Sequence, residues 1–415
     1  MRAFYTLLFT LALPWVLLRL VWRARRQPEY LHHVGERLGC YREKSESPLI
    51  WVHAVSVGET RAAVPLVRAL REKYSGHRIL LTHMTPTGRS TGEDLFGQSV
   101  TRCYLPYDLP WIMAAFIRHF RPVMGLVMET EIWPNLVHVC KTRGVPLLLV
   151  NARLSEKSFA GYQRMGGFAS DTVSGFTAIA AQTLDDARRF QALGAENVSV
   201  MGNLKFDTTA DSGAVARGER WKAALGTRKV ILAASTRDGE EALLLQAGLH
   251  LTEDALLVIV PRHPQRFEEV AQLLEKLKVD YQRRSTDRPV STGTRVLLGD
   301  SMGEMAAYYA LCDVAFVGGS LLPFGAQNLI EACALGKPVL IGAHTYNFAE
   351  ASESAVKAGA ALRVTDGADL ARKAKTLLTH PDLAQRMSVA AFRFAQEHTG
   401  ATQRLLEMLR FDPAR

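Results

Sequence analysis

The feature that most constrains this 415-residue chain is a rhythm of short apolar runs alternating with helix-patterned segments, which stops and begins again midway. Leu49 to Val52, Arg78 to His83, Gly125 to Met128, Pro146 to Val150 and Phe176 to Ala180 read as strands. Near-continuous apolar strands separated by helices belong to parallel sheets covered on both faces. A second series runs through Lys229 to Ala234, Ala255 to Val260, Val296 to Leu298, Val314 to Val317 and Pro338 to Ile341. Between them lies Lys205 to Ala216, polar and small, as an interdomain hinge reads. The expectation is an α/β protein with two doubly wound domains, 27–207 and 208–397, facing a central cleft. A C-terminal helix within 398–415 is able to return to the first domain.

Ahead of this alternation, Ala3 to Val21 is apolar apart from Thr6, Thr10, Pro14 and Arg19. Its length is near the ~20 residues needed to span hydrocarbon. The basic run Arg23, Arg25 and Arg26 follows the apolar stretch, whereas a signal peptide carries its charge before it. Residues 1–26 therefore read as an uncleaved anchor whose basic flank holds the globular part on the cytoplasmic side. Arg19 either snorkels or marks a shallow insertion, so spanning and lying at the interface both stay open. Five of the nine excess positive charges sit in this segment, and the remaining diffuse excess gives poor support to a nucleic-acid surface. Cys40, Cys103, Cys140, Cys312 and Cys333 show no paired spacing, which points to thiols in a reducing compartment.

Two segments carry chemistry. In Trp51 to Thr60, WVHAVSVGET, a strand collapses into a small-residue turn and delivers Glu59 just before a helix marked by Ala63, Leu66, Val67 and Leu70. Ligands bind at such turns in open parallel sheets, yet a first-turn acid also complements the helix dipole, and the two readings stand side by side. The dipole would hold the carboxylate ionised, with lowered basicity. In Phe316 to Asn347, a strand empties into Gly318, Gly319 and Ser320. Gly325, Ala326, Gln327 and Asn328 then open a helix carrying Glu331, closed by Gly336, Lys337 and Pro338. Free backbone N–H groups there suit a phosphate and the glutamate suits ribose hydroxyls, although glycines also serve tight turns alone. Ser235, Thr236, Arg237, Arg262 and His263 follow other strands of the same series, where arginines suit a doubly anionic donor.

These residues resemble the 3-deoxy-D-manno-octulosonic acid (Kdo) transferases that act on the lipid A precursor of Gram-negative bacteria. The likeness rests on HAVSVGE (53–59), ETEIWPN (129–135), NARLSEKS (151–158), GNLKFD (202–207), RHPQRF (262–267) and the GGS…QN…E…GKPV block, in order along nearly the whole chain. It implies a GT-B glycosyltransferase fold of two Rossmann-like domains, an N-terminal inner-membrane anchor, and inverting transfer without metal or cofactor. CMP-Kdo would be the donor and the tetraacyl disaccharide 1,4′-bisphosphate the acceptor. Glu59 would be the catalytic base and Glu131 a second site acid with Glu129 its structural partner, although the roles of that strand-end pair are equally open to reversal. Ser56, Gly58, Glu129, Arg153 and Lys157 would meet the acceptor. The donor would meet Ser235, Thr236, Arg262, His263, Gly318, Gly319, Ser320, Gln327, Asn328 and Glu331. The chain departs from the family at Gln327, where histidine is frequent, and at Leu329 and Ala332, where prolines are. A nucleotide-sugar 2-epimerase and a non-catalytic scaffold are the rival readings. The apolar anchor counts against the first, and the joint presence of Glu59, Arg262, Asn328 and Glu331 against the second.

Overall fold

The computed structural model describes residues 1–25, 27–41, 47–207, 211–251 and 254–409. Arg26 of the basic flank, Thr208 to Ala210 of the expected hinge, and the last six residues of the C-terminal segment lie outside them. The chain divides into two compact units, Met1–Asp207 with the segment from Thr399 onward, and Thr208–His398.

The first unit is built on strands β1 (Leu49–His53), β2 (Arg78–His83), β3 (Thr101–Tyr104), β4 (Pro122–Met128), β5 (Leu147–Ala152), β6 (Ala178–Ala181) and β7 (Val198–Val200). They pair in the order β3-β2-β1-β4-β5-β6-β7, parallel throughout. The second unit has β8 (Val230–Thr236), β9 (Leu256–Pro261), β10 (Tyr281–Arg283), β11 (Val296–Leu298), β12 (Val314–Val317), β13 (Val339–Ile341) and β14 (Ala361–Arg363). Their order is β10-β11-β9-β8-β12-β13-β14, again all parallel.

Central strands such as β1 and β8 are buried at every position, because helices cover both faces. The four strands that sequence reading missed, β3, β7, β10 and β14, are the four sheet edges. An edge strand pairs on one side only and needs no continuous apolar run, and β7 and β10 have no buried residue. The strand order reverses between β1 and β4 in one sheet and between β8 and β12 in the other, which opens a crevice at the carboxyl ends of those strands.

Much of the expected hinge is ordered structure. Leu204–Phe206 forms a 3-10 turn and Ser212–Ala224 a helix. Asp207 reaches across to the C-terminal segment, where its Oδ1 accepts from Gly400 N (2.6 Å) and Ala401 N (3.1 Å), and its Oδ2 from Thr402 N. It thus satisfies the open N-terminus of the helix Ala401–Met408. That helix packs on Val64–Lys73 and adds Ala401, Leu405 and Leu406 to the cluster of Ile50, Val52 and Met124. Asp207→Ala should cost roughly 1–2 kcal/mol of first-unit stability. Urea denaturation checks this, and an unchanged midpoint would assign the anchorage to the leucines alone.

Candidate active site

In the first unit, β1 ends at His53 and the helix Val57–Ala62 begins after Ser56. Ser56 Oγ accepts from Glu59 N at 3.4 Å and donates to Glu59 Oε1 at 2.9 Å, while Val55 N donates to Oε2 at 2.8 Å. Ser56 caps the helix and the Glu59 carboxylate reaches back to Val55 N, one residue before the cap, so the capping role is real. The arrangement leaves Glu59 only 8% exposed. Burial is the largest influence on its proton affinity and pushes the pKa up to about 7. The bond from Val55 opposes that rise, the charge of Glu129 reinforces it, and Ser56 and Glu131 act more weakly in the same opposed senses. The lowered basicity expected from the helix dipole is therefore reversed by desolvation. A carboxylate titrating near neutrality is suited to accept a proton.

Glu129 and Glu131 follow β4, next to β1 in the sheet. Glu129 takes a left-handed backbone (φ 58°) and pairs with Lys205 Nζ at 2.9 Å. Glu131 Oε2 accepts from Trp133 Nε1 at 2.7 Å, and burial raises its pKa against that bond. Gly58 lies exposed on the first turn, and Arg153 and Lys157 are exposed beyond β5. The motifs NARLSEKS and GNLKFD meet here: Asn151 Oδ1 accepts from Leu204 N (3.0 Å), and Asn203 Nδ2 donates to Gln182 Oε1 (3.1 Å).

The second unit holds a cavity of about 220 Å³ whose wall includes Ser235, Arg262, Gln327, Asn328, Glu331 and Tyr309. Asn328 Oδ1 accepts from Ile330 N (3.1 Å) and its Nδ2 donates to Glu331 Oε1 (3.3 Å), which aims the carboxylate. Burial raises the Glu331 pKa, and Asn328 and the Arg262 charge pull it down. A guanidinium beside a carboxylate and two amides can bind an anion and hydroxyls together. Sequence reading missed Ser301, Glu304 and Tyr308 on the same wall. Their position just after β11 was the available signal.

Several expected donor residues serve the fold instead. The helix bearing Glu331 is Ile330–Ala334, and Gly325 and Ala326 before it are left-handed (φ 89° and 65°), so they do not open it. Gly318 N bonds Ala234 O at 2.8 Å. Gly319 N (2.6 Å) and Ser320 N (3.0 Å) donate to the carboxylate of Glu240, as do Leu321 N (3.0 Å) and Arg237 N (2.9 Å). The expectation that these N–H groups are free for a phosphate is thus corrected: a fully buried internal carboxylate fills the nest. Thr236 is likewise internal, donating to Glu241 Oε1, which Arg266 Nη1 holds at 2.7 Å. His263 is exposed with Nε2 3.0 Å from Arg237 Nη1, and burial and the surrounding arginines lower its pKa. Glu240→Ala strands four N–H donors and should cost about 4 kcal/mol or more. Chemical denaturation reads this directly, and a loss too small to measure would mean water replaces the carboxylate.

Comparison with known proteins fits both halves. Residues 32–208 match the family described as 3-deoxy-D-manno-octulosonic-acid transferase, and 241–394 match glycosyl transferases group 1. The chain is 42% identical to the 3-deoxy-D-manno-octulosonic acid transferase of Bordetella pertussis across 98% of each chain. It is 38% identical to that of Haemophilus influenzae across 99% of this chain and 98% of the other. The solved UDP-GlcNAc 2-epimerase of Neisseria meningitidis, 16% identical, aligns with a TM-score of 0.57 over 87% of this chain and 99% of its own. At that identity the likeness concerns the GT-B fold alone, so it lends the epimerase reading no chemistry. With two transferases aligned from end to end, the chain belongs to the Kdo transferase family.

Proposed function

We propose that this chain is an inverting, metal-independent transferase that moves Kdo from CMP-Kdo to the tetraacyl disaccharide 1,4′-bisphosphate precursor of lipid A, at the cytoplasmic face of the inner membrane. The observation that carries the reading is Glu59, a buried carboxylate titrating near 7 at the switch point of the first sheet. Its Oε atom takes the proton of an acceptor hydroxyl as that oxygen bonds the anomeric carbon of Kdo. The bond from that carbon to the phosphate oxygen breaks, and its electron pair leaves on CMP. Direct displacement from the opposite side inverts the centre.

The second unit supports the donor half of the reading through Arg262, Asn328 and Glu331 around its cavity. Arg262 would meet charge on the phosphate or on the Kdo carboxylate, a role that a metal fills elsewhere. Glu331 and Asn328 would take the ribose hydroxyls. In the first unit, Arg153 and Lys157 are exposed cations for the acceptor phosphates, and Glu131 braces the Trp133 loop beside the base.

The full chain incubated with CMP-Kdo and the acylated acceptor should give Kdo-lipid with release of CMP, and activity should persist in EDTA. Turnover of the nucleotide sugar without acceptor would favour the epimerase reading. Glu59→Gln should lower kcat by roughly 10²–10⁴-fold with little change in CMP binding or Tm. Retained activity returns Glu59 to capping alone. Because the deprotonated form is the base, kcat/KM should rise with pH and level off above about 7. A profile flat from pH 5 to 8 would contradict that assignment.

A further inference from the structure

The helix Arg2–Ala24 is long and apolar enough to cross a membrane, with mean hydropathy 1.8. Both of its ends nonetheless engage the rest of the first unit or fold back on themselves. Near its start, Tyr5 Oη donates to Asp108 Oδ2 at 3.0 Å and Thr6 Oγ1 to Asn135 Oδ1 at 3.1 Å. The Tyr5 ring lies 6.0 Å from Phe168 and the Phe9 ring 6.5 Å from Tyr107. Near its end, Leu20 and Ala24 are buried, Pro28–Leu31 turns back against the helix, and the Arg23 guanidinium sits 5.5 Å from the Tyr30 ring. At 1.5 Å per residue, Tyr5 and Ala24 are about 28 Å apart. That nearly equals the ~30 Å hydrocarbon thickness. A crossing helix would therefore place Tyr5 on the far side of the bilayer from the folded unit. Its bond to Asp108, which also accepts from Asn135 N and Leu136 N, keeps both on one side.

We propose that this helix lies in the plane of a membrane interface, docked along the first unit, and does not cross the bilayer. Its partner is the headgroup and acyl-chain boundary of a bilayer rich in anionic phospholipid. The outward face carries Phe4, Leu11, Trp15, Leu18 and Trp22, each more than half exposed, in one stripe. Arg19, Arg23 and Arg25 are exposed beside it, and no acid occurs among the first 26 residues, so the charge complements anionic headgroups. An apolar cavity of about 490 Å³ shares Tyr5 with the helix and is otherwise lined by residues such as Ile132, Tyr162 and Phe168, so apolar surface continues from the helix onto the first unit. The inference rests on these contacts and not on the reaction catalysed.

Spin labels test it in the full chain, reconstituted in phosphatidylethanolamine and phosphatidylglycerol vesicles, with Cys40→Ser removing the exposed native thiol. Phe4→Cys, Leu11→Cys, Leu18→Cys and Trp22→Cys each take one label on the outward face, and depth is read from oxygen against nickel-chelate accessibility. An in-plane helix gives one shallow depth at all four sites, roughly 5–10 Å below the headgroups. A profile deepest at Leu11 and shallow at Phe4 and Trp22 means a crossing helix and overturns the proposal. Water-like accessibility throughout, or spin–spin broadening from a second copy of the chain against this face, overturns it equally.

Discussion

Each handover from a parallel strand to a helix leaves backbone N–H groups that neither element can satisfy, and at several of them in this chain buried carboxylates join the capping hydroxyls as acceptors. Glu240 receives four such donors from two loops of the second unit. Asp108 holds Asn135 and Leu136 at the start of Pro134–Thr142, and Asp186 holds Leu154. Leaving even one of these donors dry and unpaired would cost about 1–3 kcal/mol, so the loops at the strand ends are fixed by interior charge. The positions of Glu59, Glu131, Asn328 and Glu331 all follow from loops held in this way or from the bonds next to them.

Glu59 shows how one arrangement serves two ends. The bonds from Val55 and Ser56 fix its rotamer and complete the helix start. The same burial that makes those bonds necessary raises the proton affinity, and the nearby charges of Glu129 and Glu131 add to it. Lys205 pairs with Glu129, which brings GNLKFD, far along the chain, beside ETEIWPN.

What the sequence made legible was whatever depends on neighbours in the chain. Strands such as β1, β4, β8 and β12 announce themselves because burial on two faces demands apolar residues in a run. The edges β3, β7, β10 and β14 carry no such demand and were invisible. The Glu59 turn was legible for the same reason, since its bonds all fall within Val55 to Glu59. The GGS loop was misread because its acceptor, Glu240, lies 79 or more residues away in sequence, and no local pattern says whether a glycine nest is filled from inside or from solution. The wall formed by Ser301, Glu304 and Tyr308 was missed although the strand ahead of it, Val296–Leu298, was read, because no glycine-rich or basic motif marks the residues that follow.

The return of the last helix to the first unit bears on how the protein is made. Ile50 and Val52 emerge early from the ribosome, but Ala401 and Leu405, which finish the same cluster, emerge only after the entire second unit. At translation rates of about 5–20 residues per second, the flank of the nascent first unit stays uncovered for about ten seconds or more. The second unit, whose chain is continuous, can close as soon as it is synthesised. Truncation or stalling near the C-terminus would therefore expose apolar surface on the oldest part of the molecule, and the late helix acts as its seal.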